Sequence, residues 1–155
     1  MAGLAFTATN AAGGVTAVAA TADTILQIVA ASNHPVIVDS VVVSFNGITP
    51  ADIPIKVELV LQSDVGAGGT AVTCVKTNQS MSETLQTTAV RGPTTEPTGT
   101  TIYHTEFVHE QGGVPLLIPP RKFVIKGGDR LGIRMTPGAS ITGTVLALAT
   151  FYGEE

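Results

Sequence analysis

VIVDSVVVSFNGITPADIPIKVELVLQ, residues 36–62, is the stretch that decides the fold. In an extended chain successive side chains point to opposite faces. Val36, Val38, Ser40, Val42 and Ser44 therefore share one face, and Ile37, Asp39, Val41, Val43 and Phe45 the other. Both faces are partly apolar, which predicts a central strand. Asn46-Gly47 opens a loop through Pro54, and Ile55 to Gln62 then alternates, with Ile55, Val57, Leu59 and Leu61 inward and Lys56 and Glu58 outward. That period of two predicts a half-buried strand. Val, Ile and Thr are abundant throughout while Lys, Glu and Arg are scarce, and β-branched side chains suit a pleated surface better than a helix. An all-β chain follows.

Working outward, Thr24 to Ala31 (TILQIVAA) forms a strand before the turn Ser32-Asn33-His34-Pro35, and is expected to pair with Val36 to Phe45 as a neighbour. On the other side Ser63 to Gly69 turns the chain, with Gly66-Ala67-Gly68-Gly69 read as a hairpin turn, and Thr70 to Val75 makes a short strand. Lys76 to Gly99 is mostly Thr, Ser, Gln, Pro and Gly, the longest irregular region; ordinary connections run about 4–6 residues, so such a segment is a candidate for contact with a partner. Thr100 to Glu110 is a long strand. Val114 to Ile118 and Arg121 to Ile125 flank Pro119-Pro120, a pair that resists central-strand positions. Arg130 to Thr136 and Ile141 to Tyr152 are expected to be adjacent and antiparallel across Pro137-Gly138-Ala139-Ser140. The sum is about eight to ten strands with no helix, Ser80 to Leu85 being at most one turn. Residues 1–22, rich in Ala, Thr and Gly, read as a flexible N-terminal arm or weak edge strand with Phe6 as its only aromatic anchor, and residues 23–155 as a single antiparallel β-sandwich.

Composition narrows the function. A length of 155 residues fits one domain with one core. Charged residues are 13% of the chain and mean hydropathy is +0.36, yet no apolar run approaches the roughly 20 residues of a membrane span. Such sparse charge points to a surface partly covered by other subunits. The net charge of -4 gives no electrostatic case for binding nucleic acid. Arg121, Lys122, Lys126, Arg130 and Arg134 cluster, but with Asp129 among them and no aromatic interleaving they read as solvated strand faces. Cys74 is the single cysteine, which excludes an intrachain disulfide and reads as a buried thiol. The N-terminal stretch has small residues but no Lys or Arg before Lys56, so synthesis in the cytoplasm without export is expected.

Catalytic chemistry finds no foothold. His104, Glu106, His109 and Glu110 invite a metal site, but His104 and Glu106 point to one face of a strand and His109 to the other. Cys74 has no sequence-local histidine, and no serine sits in a nucleophile elbow. The Gly66–Gly69 run lacks the following lysine and helix of a phosphate loop. No enzyme activity, cofactor or metal is therefore expected. Carbohydrate recognition would have only Tyr103 and Tyr152 as platforms, there being no Trp.

The order of TILQIVAASNHPVIVDSVVVSFNG (24–47), IKVELVLQSDVGAGGTAVT (55–73), Glu96-Pro97, TTIYHTEFVHEQGGVPLLIPP (100–120) and GGDRLGIRMT (127–136) resembles the small jelly-roll decoration, or cement, proteins of tailed-phage heads. The likeness covers most of residues 24–152, and its most specific parts are GGDRLGIRM and the Pro-Pro turn before it. Jelly-roll domains of other trimeric proteins carry a similar start to this strand, and such motifs specify fold better than partner. The resemblance implies a homotrimer on the outer capsid surface of the virion, bridging neighbouring copies of the major capsid protein. Phe6 in the arm and Met81, Leu85 and Arg91 in the long loop are the candidate capsid contacts. A carbohydrate- or receptor-binding module on a virion surface fibre is the alternative.

Overall fold

The computed structural model describes residues 3–47, 53–116, 122–141 and 144–155. The strands are β1 (Ala5–Thr9), β2 (Val15–Thr16), β3 (Asp23–Val29), β4 (Val36–Gly47), β5 (Ile55–Gln62), β6 (Thr70–Val72), β7 (Val75–Lys76), β8 (Thr88–Arg91), β9 (Gly99–Val108), β10 (Gly113–Leu116), β11 (Phe123–Ile125), β12 (Arg130–Thr136) and β13 (Val145–Glu154). None of the described residues is helical. The first sheet runs β10-β4-β13-β1-β7, with β11 also on β4 and β2 on β13; the second runs β6-β8-β3-β12-β5-β9. All named pairings are antiparallel. The expected antiparallel β-sandwich is what the chain forms, with thirteen strands among the described residues instead of eight to ten, because residues 5–16 and the long irregular region both contribute short ones.

The chain changes sheet from β2 through β3 and β4 to β5, from β6 through β7 to β8, between β9 and β10, and from β11 through β12 to β13, so most connections cross from one layer of the sandwich to the other. Two expected hairpins are thereby corrected. β3 and β4 do not pair, and neither do β12 and β13; each turn carries the chain across the core into the opposite sheet. Alternation of apolar residues says that a strand has a buried face, but is the same whether its successor lies beside it or opposite it. β4 is central, between β13 on one edge and β10 and β11 on the other. The core lies between the sheets, where Leu26, Ile28, Leu59, Leu131, Ile133 and Met135 meet Phe6, Val41, Val43 and Phe151, all at most 1% exposed.

The expected N-terminal arm is not loose over residues 5–9. β1 pairs with β13 over its whole length and carries β7 on its other edge. Its alternation places Phe6 and Ala8 in the core at 1% and 0% exposure, opposite Gly153 and Phe151. A Cβ on Gly153 would lie 3.3 Å from the Phe6 ring and 2.5 Å from the Ile37 carbonyl, so the missing side chain makes room for the aromatic. Asn10 closes the strand, donating from Nδ2 to Ala147 O at 3.2 Å and accepting from Ala149 N at 2.7 Å. The sandwich therefore begins at β1, well before the expected boundary at residues 22–23.

The segment between β5 and β9 is a strap rather than a free loop. β6 and β8 extend the second sheet beyond β3, and β7 extends the first sheet beyond β1. The Gly66–Gly69 turn does not form a hairpin, since β5 and β6 stand at different places in their sheet. The Pro119-Pro120 turn and Arg121 lie outside the described residues.

Candidate interaction surfaces

The outer face of the second sheet is polar and covered. Outward positions Thr24, Gln27, Glu58 and Gln62 are no more than 3% exposed; Asp64 and Glu96 of the stretches 63–69 and 92–98 are hydrogen-bonded over Gln27 and Thr24, while Arg134 and Lys56 contact Glu58. Buried polar groups are tolerated only when hydrogen-bonded, and these are linked in a chain. Gln62 Nε2 donates to Thr24 Oγ1 at 2.8 Å, and Gln27 Nε2 donates to Gln62 Oε1 at 2.7 Å and to Asp64 O at 2.9 Å. Glu96 holds the returning stretch down by accepting from Thr24 N and Thr24 Oγ1, both at 2.7 Å. Burial raises the Glu96 carboxyl above its ordinary value, with the two Thr24 donors opposing. For Glu58 burial also pushes upward, but Arg134, at 2.9 Å, and Lys56, at 3.2 Å, outweigh it and the carboxyl is lowered. Gly132 packs under this network: a Cβ there would collide with the Gln62 amide.

The four candidate contact residues do not form one patch. Phe6 is corrected outright, its ring being sealed in the core by β1's position between β13 and β7. Leu85 is half-buried against that core. Met81, half-buried, lines a cleft with Leu4, His34, Glu83 and Glu155, and its carbonyl accepts from Lys76 Nζ at 2.7 Å. Arg91 sits on β8 and donates to the Gly13 carbonyl, lining other clefts between the strap and residues 9–16. Glu155 secures the strap from the far end of the chain, accepting from Gln86 N and Thr87 N, each at 2.7 Å.

Two surfaces that the sequence did not single out are uncovered. β9 is exposed along its first nine residues. Among the described residues it pairs with β5 alone, at the end of its sheet. Phe107, Ile102 and Tyr103 on it are 63%, 52% and 45% exposed. Tyr103 packs against Phe123 with ring centroids 5.2 Å apart and the ring planes tilted by 51°. The second surface is the outer face of the first sheet. By register Val42, Ser44, Leu146, Leu148, Thr150 and Tyr152 project from it. Val42, Leu146 and Tyr152 are exposed, as are Val75 and Val124 at its two sides. Its charged residues, Lys122, Asp39 and Glu154, gather at the end where β4 begins, with Lys122 Nζ 2.8 Å from Asp39.

No family model, curated protein or solved structure matches this chain. Inference about function therefore starts from these surfaces and from the chemistry of their side chains. His104 and Glu106 contact each other at 3.4 Å on β9, and among the described residues no three His, Cys, Asp or Glu side chains are grouped to hold a metal ion. The basic cluster is dispersed: Lys122 pairs with Asp39, Arg134 with Glu58, and Arg130 donates to the Ser63 and Gly128 carbonyls. Cys74 is half-buried, and burial together with the Glu155 carboxylate pushes its thiol up to about 11, which makes it a poor nucleophile. Among the described residues no helix is long and apolar enough to cross a membrane.

Proposed function

We propose that this chain is a structural virion protein that binds the outside of an assembled tailed-phage capsid as a homotrimer and stabilises it by bridging neighbouring capsid subunits. The observation that carries the proposal is β9: a ten-residue strand with one paired edge and exposed aromatic and aliphatic side chains. Soluble proteins protect such edges or cover them, and large exposed apolar side chains in a group mark contact sites. The β-sandwich, with its strap fastened at Glu96 and Glu155, suits a part that must hold its shape between subunits.

Binding that favours the assembled shell over its dissociated subunits stabilises the shell by linkage, by about 2.7 kcal/mol per site at a concentration 100 times Kd. Three-fold repetition multiplies weak contacts without new contact types. The test is co-sedimentation of the purified chain with expanded shells of the major capsid protein encoded in the same genome, together with the temperature at which those shells rupture. Saturable binding with a raised rupture temperature is expected; absence of both overturns the proposal. The alternative, a glycan- or receptor-binding module, has less support, since Tyr152 projects from the outer face of the first sheet while Tyr103 packs against Phe123, whose register partner Val38 is a core residue. The two rings lie on opposite sides of that sheet and form no shared platform.

A further inference from the structure

We propose that the cleft beside Arg91 is a binding site for a carboxylate, with the Arg91 guanidinium as its counter-charge. Register places Arg91 on the inward side of the second sheet: it lies opposite Leu26 and Thr70, two residues on from Ala89, which is buried in the core. The side chain therefore points between the layers at the rim of the sandwich. It reaches across to donate from Nη1 to the Gly13 carbonyl, which lies between β1 and β2 of the first sheet. Gly13 has to lack a side chain for this, since a Cβ there would collide with the guanidinium. An inward, half-buried cation loses hydration and is ordinarily matched by an anion. Arg134, on the same sheet, is matched by Glu58 at 2.9 Å. Arg91 has no carboxylate within ion-pair reach among the described residues, and its Nε and Nη2 donors have no acceptor there.

Arg91 lines a cleft of about 390 Å³ together with Gly13, Gly14, Thr16, Thr70 and Gly92. No acidic side chain lines it, nor the neighbouring cleft that Arg91 shares with Thr9 and Thr73. The Thr16 and Thr70 hydroxyls are exposed and have no partner among the described residues, so both are available as further donors. Gly92 stands at φ +49°, a conformation that other residues rarely adopt, and a Cβ there would press on Val15 at 3.2 Å. Chemistry then selects the ligand. The Nε and Nη2 edge of a guanidinium presents two parallel N–H groups that match the two oxygens of a carboxylate. No second cation lines the cleft to balance a doubly charged phosphate, and the net charge of -4 gives no support to nucleic acid. An acidic side chain of a partner protein and a free carboxylic acid offer the same group. Neither a trimer nor a capsid is needed for the site to fill.

Titration of the isotope-labelled chain with sodium acetate at constant ionic strength, followed by NMR, tests the site. Saturable shifts are expected at the Arg91 Nε–H and at the amides of Gly13, Gly14 and Thr70, with a Kd on the order of 10 mM. Chloride should produce none of them, and inorganic phosphate should bind no more tightly than acetate. Arg91→Lys, which keeps the charge but loses the paired edge, should weaken acetate about tenfold, and Arg91→Gln should abolish binding, with thermal midpoints verifying the fold. Thr16→Val and Thr70→Val leave Arg91 in place at exposed positions, and each should weaken acetate about threefold. A blocked Gly-Asp-Gly peptide separates the two sources. Binding about tenfold tighter than acetate marks a protein side chain as the ligand, equal affinity marks a free acid, and both sustain the site. Shifts that never saturate, that chloride reproduces or that survive in Arg91→Gln overturn the proposal and leave Arg91 as an anchor between the layers. Unchanged affinity in both threonine variants overturns the placement in this cleft, and phosphate binding far tighter than acetate overturns the choice of a carboxylate.

Discussion

Replacing Phe6 with Ala decides whether the N-terminal strand belongs to the cooperative core. The ring is 1% exposed, contacts the space left by Gly153, and is held by a strand paired along its full length to β13. Burial of a Phe contributes about 1.5–3 kcal/mol by transfer alone. The cavity adds to that, because β1 is fixed by ladders on both edges and cannot collapse inward, so the whole cost is about 3–5 kcal/mol. That is a large part of the roughly 5–15 kcal/mol typical of a domain. With a urea slope of about 2–3 kcal/mol/M, the unfolding midpoint should fall by roughly 1–2 M at unchanged slope. Phe6→Leu keeps most of the volume and should lose much less. A midpoint shift below about 0.3 M for the Ala variant would refute the assignment, since a detached arm contributes nothing to global unfolding.

Gly132→Ala should cost about 1–3 kcal/mol in urea midpoints, because its Cβ collides with the Gln62 amide and breaks the Gln62–Thr24 and Gln27–Gln62 bonds together. The raised Glu96 carboxyl means that the folded state binds its proton more tightly, so the natural chain should gain stability relative to Glu96→Gln as pH falls from 7 toward the ordinary value of 4.5. Glu58, lowered by Arg134 and Lys56, acts in the opposite sense: its contribution is present above 4.5 and is lost as pH falls through its depressed value, a loss that Glu58→Gln should abolish in midpoints measured from pH 5 to 3. Cys74, pushed up to about 11 from 9.0, should react with iodoacetamide at pH 8 about two orders of magnitude more slowly in the native protein than in urea; equal rates would show the thiol to be unshielded.

The parts of the fold legible in the sequence are those where alternation is strong and uninterrupted. β4 and β5 are assigned correctly in place, and Ile55, Val57 and Leu59 point inward where period two puts them. The alternation of β4 is corrected: a register shift opposite Tyr152 and Gly153 breaks its phase, so Val36 and Val38 share the core with Val41 and Val43. β5 is buried on its outward side as well, at Glu58, Val60 and Gln62. The partners of those strands were not legible. Register and sheet membership depend on which apolar faces meet across the core, and the β3–β4 and β12–β13 turns look alike whether they fold flat or arch over. β1 was hidden by its small residues: Ala5, Thr7, Ala8 and Thr9 give little periodic contrast, and the clue was the pairing of Phe6 with a distant Gly153. The strap reads as loop because its strands, β6, β7 and β8, are only two to four residues long and too short to show alternation, and much of the rest of its hold comes from single polar side chains, Glu96, Asp64 and Glu155.

Composition says that the chain is short of charge; the fold gives that shortage a direction. Lys56, Glu58, Asp64, Glu96, Arg130 and Arg134 all serve the outer face of the second sheet or the stretches that cover it. Among the described residues the outer face of the first sheet keeps the Lys122, Asp39 and Glu154 group at one end. A monomer would gain solubility from charge on its broad bare face at no cost to its core, whereas charge there would oppose a desolvated contact. The asymmetry therefore belongs with the bare β9 ridge on the same molecule: both are features expected of surfaces that spend their time covered, and neither contributes to the stability of the sandwich that presents them.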